Sequence, residues 1–198
     1  IYNLYGKKII ASDFLVATSM SLVFLFGALS FSDNLGILPW AIFFLTFNQT
    51  LHMNAVEGGL KDADHDYLMG VKNIALRLGV KVEDKTIFIP FLFKALGMGL
   101  RLFSVILVFL PFLMGIEHYI WQIPVLVTLL LIILFLETRL LYRSVFHRPD
   151  ILRLIAGSNF LRYMVVPIML IGPLGIFRSS ILIFLPIIWY IVFTPLLG

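Results

Sequence analysis

Asp62, Asp64 and Asp66 place three carboxylates within five residues of a chain that is 61% hydrophobic and only 13% charged. An aspartate at a bilayer centre costs about 2.5–3.5 kcal/mol on insertion scales, so such a group belongs at a water interface or in a polar cavity. On a helix, Asp62 and Asp66 are four apart and share a face, while Asp64 points elsewhere. Two carboxylates on one face repel each other unless a cation lies between them. Hard divalent ions such as Mg2+ bind through one or two carboxylates together with substrate phosphates. The pair therefore reads as half of a metal site.

Other chemistries fit less well. Asp62-x-Asp64-x-Asp66 copies the start of a calcium-binding loop, but Tyr67 stands where glycine is needed and Asn73 where a bidentate glutamate is needed. His52, His65, His118 and His147 form no helical zinc pattern, and the neighbouring carboxylates make an oxygen site of any ion near His65. The absence of cysteine removes disulfides, thiolate metal sites and a cysteine nucleophile. The net charge of +4 is small and does not point to nucleic acid.

The elements that must position these residues are membrane helices. Mean hydropathy is +1.02, far above a soluble domain, and the expected fold is an all-α, polytopic transmembrane bundle of five to six spans forming one domain over residues 1–198. Apolar runs approaching the roughly 20 residues of a span cover Phe14–Phe31, Ile37–His52, Phe88–Ile116, Tyr119–Phe135, Tyr163–Ile176 and Ile181–Leu197. The stretch from Thr86 to Ile116 exceeds one span, and Pro90, Lys94, Gly97 and Gly99 suggest an interfacial segment that runs into the helix proper. Alternating these spans puts Lys7, Lys8, Lys61, Lys72, Arg77, Lys81, Lys85, Lys94, Arg139, Arg143, Arg148 and Arg153 on one side and Arg178 on the other. Twelve against one predicts a cytoplasmic acidic loop. Arg101 and Arg162 fall near helix ends, and Lys94 and Arg101, seven apart, are expected to snorkel. The opening residues lack a signal-peptide pattern, so the chain reads as the C-terminal part of a longer protein.

Asp62-x3-Asp66-x3-Gly70, followed by Asn73, Ala75, Arg77, Leu78 and Gly79, resembles the second aspartate-rich motif of the UbiA superfamily of intramembrane prenyltransferases. The preceding Asn54-Ala55-Val56-Glu57-Gly58-Gly59-Leu60 is similar to the family helix that enters this motif. More loosely, the opening tyrosine- and lysine-containing segment is similar to the family's Tyr-x3-Lys region. The match is inexact there, because Tyr2 is five residues before Lys7 and Tyr5 three before Lys8. The family's first aspartate-rich motif is missing from these residues.

The resemblance implies an Mg2+-dependent enzyme that moves a polyprenyl group from a polyprenyl diphosphate to a hydrophobic acceptor, either a quinone-precursor ring or a glyceryl phosphate lipid, among membrane lipids. It implies Asp62 and Asp66 as catalytic metal ligands, with Asp64 beside them or facing solvent. It also implies Asn54, Lys72, Arg77, Lys7 and Lys8 as substrate-binding groups. The reading of another class is a transporter or structural bundle whose acidic loop binds a cation without chemistry. A transporter would place ionisable groups near mid-membrane, whereas this sequence concentrates its carboxylates at one face.

Overall fold

The fold is that of a computed structural model in which residues 12–197 are described, so Lys7, Lys8 and the opening tyrosine segment lie outside the described residues. Helices α1 (Ser12–Leu29) and α2 (Ile37–His52) form an antiparallel pair. Helix α2 continues through a π-helical turn (Met53–Gly58) into the short helices α3 (Gly59–Lys61), α4 (Ala63–Leu68) and α5 (Ile74–Arg77). A hairpin of β1 (Lys81–Glu83) and β2 (Thr86–Phe88) leads to α6 (Phe91–Leu113) and α7 (Gln122–Leu141). The chain then forms α8 (Arg148–Met169), the single turn α9 (Ile171–Leu174) and α10 (Ile176–Leu197). Among the described residues, four helices, α1, α6, α7 and α8, are long and apolar enough to cross a membrane.

The outward faces carry exposed Phe26, Ile106, Leu131 and Phe135, as expected of surfaces that meet lipid rather than water. The fifth expected span is corrected: its helix begins at Arg148, not Tyr163, and ends at Met169. The displaced start reflects Arg148, Asp150, Arg153, Ser158 and Asn159, which depress hydropathy over a helix that is nonetheless continuous. The expected interfacial segment is corrected: Thr86–Phe88 closes a β-hairpin that turns at Asp84 with φ 52°, Pro90 caps α6, and Lys94, Gly97 and Gly99 lie within that continuous helix.

Interloop contacts show which loops share an end. Ile87 N–H donates to the Ser144 carbonyl at 2.9 Å and Phe146 N–H to that of Lys85 at 2.8 Å. The hairpin is thus zipped onto the α7–α8 connection. At the opposite end the Gln122 amide donates to the Ile168 carbonyl at 2.7 Å, tying the start of α7 to the end of α8. The acidic loop and the α7–α8 connection therefore lie together, as the alternation of spans requires.

Two apolar clusters fill the bundle. Val56, Leu60, Phe93, Leu141 and Ile151 pack at the acidic end, and Leu45, Val108, Leu126, Val165 and Met169 at the other. Between them lies a layer of charge.

Candidate functional site

The acidic loop owes its shape to two breaks. Asp62 leaves helical geometry (φ −111°, ψ 9°), separating α3 from α4, and Gly70 turns the chain at φ 63°. Asn73 then restarts it by capping α5, its side chain accepting from Leu76 N–H at 2.8 Å. Close packing fixes the loop against α3: a Cβ on Gly59 would stand 2.5 Å from the Cβ of Ala75. The small residues before the motif thus serve helix contact here.

Both motif aspartates are held rather than free. Asp62 is paired with Arg148 at the start of α8 and has Lys61 Nζ at 3.7 Å, leaving its side chain about one-third exposed (31%). Asp66 accepts from Asn73 Nδ2 at 2.8 Å through Oδ2. Asp64, expected beside the ligands or in solvent, is half-buried, and its Oδ1 has no hydrogen-bond partner among the described residues. Lys72 and Arg77 are exposed. Asn54 is half-buried and donates to the Thr50 carbonyl at 3.1 Å. Arg77 stands at an apolar cleft of about 290 Å³ that Phe14, Leu51, Ala55, Ile74, Leu78 and Leu96 also line.

The oxygen-only donor set suits a hard divalent cation. The orphaned buried oxygen of Asp64 fits one too. The three loop aspartates do not, however, bring three ligand atoms within 4.8 Å of one another; among the described residues that proximity belongs to His52, Glu57 and Glu137.

This second constellation was not foreseen. Arg101 on α6 donates to Glu57 at 2.7 Å and to Glu137 on α7 at 3.0 Å. Arg162 on α8 meets Glu57 at 3.0 Å, and His52 Nε2 lies 3.0 Å from Glu137. None of the five is more than 5% exposed. Arg101 and Arg162, expected near helix ends, are instead interior, which overturns snorkelling for Arg101 and the concentration of carboxylates at one face. Lys94, about two turns nearer the polar end, lies over the ring of Tyr142 at 4.5 Å.

The π turn explains how Glu57 reaches the network. In an α-helix a residue five positions on is rotated about 140° from the first. The wider i→i+5 turn brings it back beneath, so His52 Nδ1 and Glu57 Oε1 stand 3.5 Å apart, both facing inward. Two guanidinium groups already balance the two glutamates. A divalent ion added at His52, Glu57 and Glu137 would leave its charge uncompensated in the interior, so these residues serve as a structural lock rather than a metal centre. The sequence signal was available: Glu57, Arg101, Glu137 and Arg162 each stand inside or beside an apolar run, and their charges sum to zero.

Comparison with protein-family models, with curated proteins and with solved structures finds no match.

Proposed function

We propose that the chain carries the second aspartate-rich motif of a UbiA-type prenyltransferase and transfers a polyprenyl group from its diphosphate to a hydrophobic acceptor. The observation that carries this reading is that Asp62 and Asp66 are anchored by Arg148 and Asn73 on a loop that continues into Ile74, Arg77 and Leu78, three residues that line an apolar cleft. A diphosphate with an oily tail needs that juxtaposition: charge in water, chain in oil.

In this reading Asp62 and Asp66 would hold Mg2+, which when bound would supply positive charge to stabilise the leaving diphosphate. Arg77 and Lys72 are exposed cations able to grip diphosphate oxygens. Arg148 and Asn73 keep the two carboxylates oriented. The apolar cleft takes up the first isoprene units and excludes water from the allylic carbon. As the allylic C–O bond breaks, its electron pair leaves with diphosphate; the acceptor nucleophile forms the new bond and gives up a proton.

The test is transfer of radiolabelled geranylgeranyl diphosphate by the full-length protein in membranes, with Mg2+ and a panel of ring and glyceryl phosphate acceptors. Asp62→Ala and Asp66→Ala are each expected to lower turnover by about a hundredfold or more, the scale of removing one electrostatic group from a transition state. Unchanged turnover in both removes them from the site.

The mid-height charge layer favours the second reading, a bundle that transports or merely binds cations. Its members are already paired with one another, which suits structure better than conduction. Ion flux through proteoliposomes that disappears in Glu137→Gln, with no prenyl transfer by the wild type, would select that reading.

A further inference from the structure

Where α7 ends and α8 begins, three arginines border one open pocket of about 630 Å³: Arg139 in the last turn of α7, Arg143 just past its end, and Arg153 in the second turn of α8. Asp150 is the one carboxylate that lines it. That carboxylate is divided among several cations. Arg143 Nη2 lies 3.3 Å from Asp150 Oδ2 and Arg153 Nη1 3.5 Å from Oδ1, both longer than a well-formed charge-assisted hydrogen bond, and His147 Nδ1 stands 3.1 Å from Oδ2 as well. Arg139 joins no ion pair among the described residues; its guanidinium lies over the ring of Phe135, 5.9 Å from the centroid.

Guanidinium groups gathered round one void repel one another unless an anion stands between them, and their planar forks fit phosphate oxygens. Main-chain bonds to the hairpin fix Ser144 and Phe146 in the connection that carries Arg143, and Lys94 from α6 sets a further cation over the ring of Tyr142, which lines the pocket. The apolar surroundings make the phosphate that of a lipid. Leu131, Phe135 and Arg139 are four apart and exposed, so an apolar stripe on α7 runs directly to the guanidinium. Leu154 continues the apolar wall on the α8 side. Basic pockets between membrane helices bind acidic headgroups in this way.

We propose that this pocket is a binding site for an anionic membrane lipid, whose headgroup phosphate takes the three guanidiniums in place of Asp150 and whose chains lie along α7. The site is separate from the acidic loop, since neither Asp62 nor Asp66 lines it. It stands whether or not the chain transfers prenyl groups.

The test is native mass spectrometry of the full chain released from neutral detergent micelles titrated with dioleoyl phosphatidic acid, dioleoyl phosphatidylcholine or inorganic phosphate. Phosphatidic acid is expected to bind about tenfold or more tightly than phosphatidylcholine. An arginine near a membrane surface is worth about fivefold in affinity for acidic lipid, so Arg139→Gln/Arg143→Gln should weaken phosphatidic acid by about twentyfold. Lys81→Gln/Lys85→Gln removes the same charge from the same end outside the pocket and should weaken it by less than about threefold. Asp150→Asn is expected to tighten binding by about threefold, because the anion that competes for Arg143 and Arg153 is gone. A misfolded variant would not gain affinity.

Equal binding of the two phospholipids, or equal losses in the two double variants, would overturn the proposal and leave the arginines as orientation charges only. Competition by inorganic phosphate at concentrations matching those of phosphatidic acid would overturn the lipid assignment. Weaker binding by Asp150→Asn would overturn the exchange of carboxylate for phosphate.

Discussion

At the scale of single residues, Glu57 and Glu137 in the interior each face a guanidinium. Removing one partner strands the other in a medium that cannot solvate it. Arg101→Met or Glu137→Leu alone is therefore expected to destabilise the protein by about 3–5 kcal/mol, as breaking a buried pair does elsewhere. The double variant Arg101→Met/Glu137→Leu keeps the Glu57–Arg162 pair neutral and should recover much of that loss. Detergent unfolding curves for the two singles and the double check this, and strict additivity would show that the pair is not coupled. None of these contacts could be read as a contact from the chain, since the partners are separated by between 36 and 105 positions. The local chemistry of Asp62, Asp64 and Asp66 was legible because three acids stand together in grease; the orphan oxygen of Asp64 was not, because burial is a property of the fold.

At the scale of elements, α3 and α5 meet through Gly59 and Ala75 with no room to spare. Gly59→Ala should cost about 1–3 kcal/mol by overpacking, and Ala75→Gly in the same chain should restore stability by vacating the space. Melting temperatures of the single and double variants provide the check. The helices with unbroken apolar runs were legible to within a few residues: α1 begins two positions before its expected start, α2 ends at His52 as expected, and α7 ends at Leu141, six positions beyond its expected end. The start of α8 was hidden because its polar residues point to partners that only packing supplies, Arg162 to Glu57 and Arg148 to Asp62. The hairpin was hidden because its strands are three residues long, too short for alternation to register.

At the scale of the molecule, basic residues crowd the end that carries the acidic loop, while exposed Tyr119 and Trp121, stacked at 6.1 Å, lie at the other. Aromatic rings of that kind settle at a membrane–water boundary, and lysine and arginine favour the cytoplasmic one. The chain has no cysteine, so single introduced thiols report topology cleanly. Lys72→Cys and Arg153→Cys should react with an impermeant maleimide from one side of sealed vesicles, and Glu117→Cys from the opposite side. Labelling of all three from one side would refute a bundle that spans the membrane in the order described.

The main-chain zipper between the hairpin and residues 144–146 also determines how the bundle can yield. Peptide groups there are bonded across the two halves of the chain, making that end the rigid rim. Helix α10, in contrast, rests chiefly on α8 and α9. If the proposed prenyl substrate enters from the bilayer, the helices are expected to part along α10, where fewer elements hold the chain, and not at the zippered end.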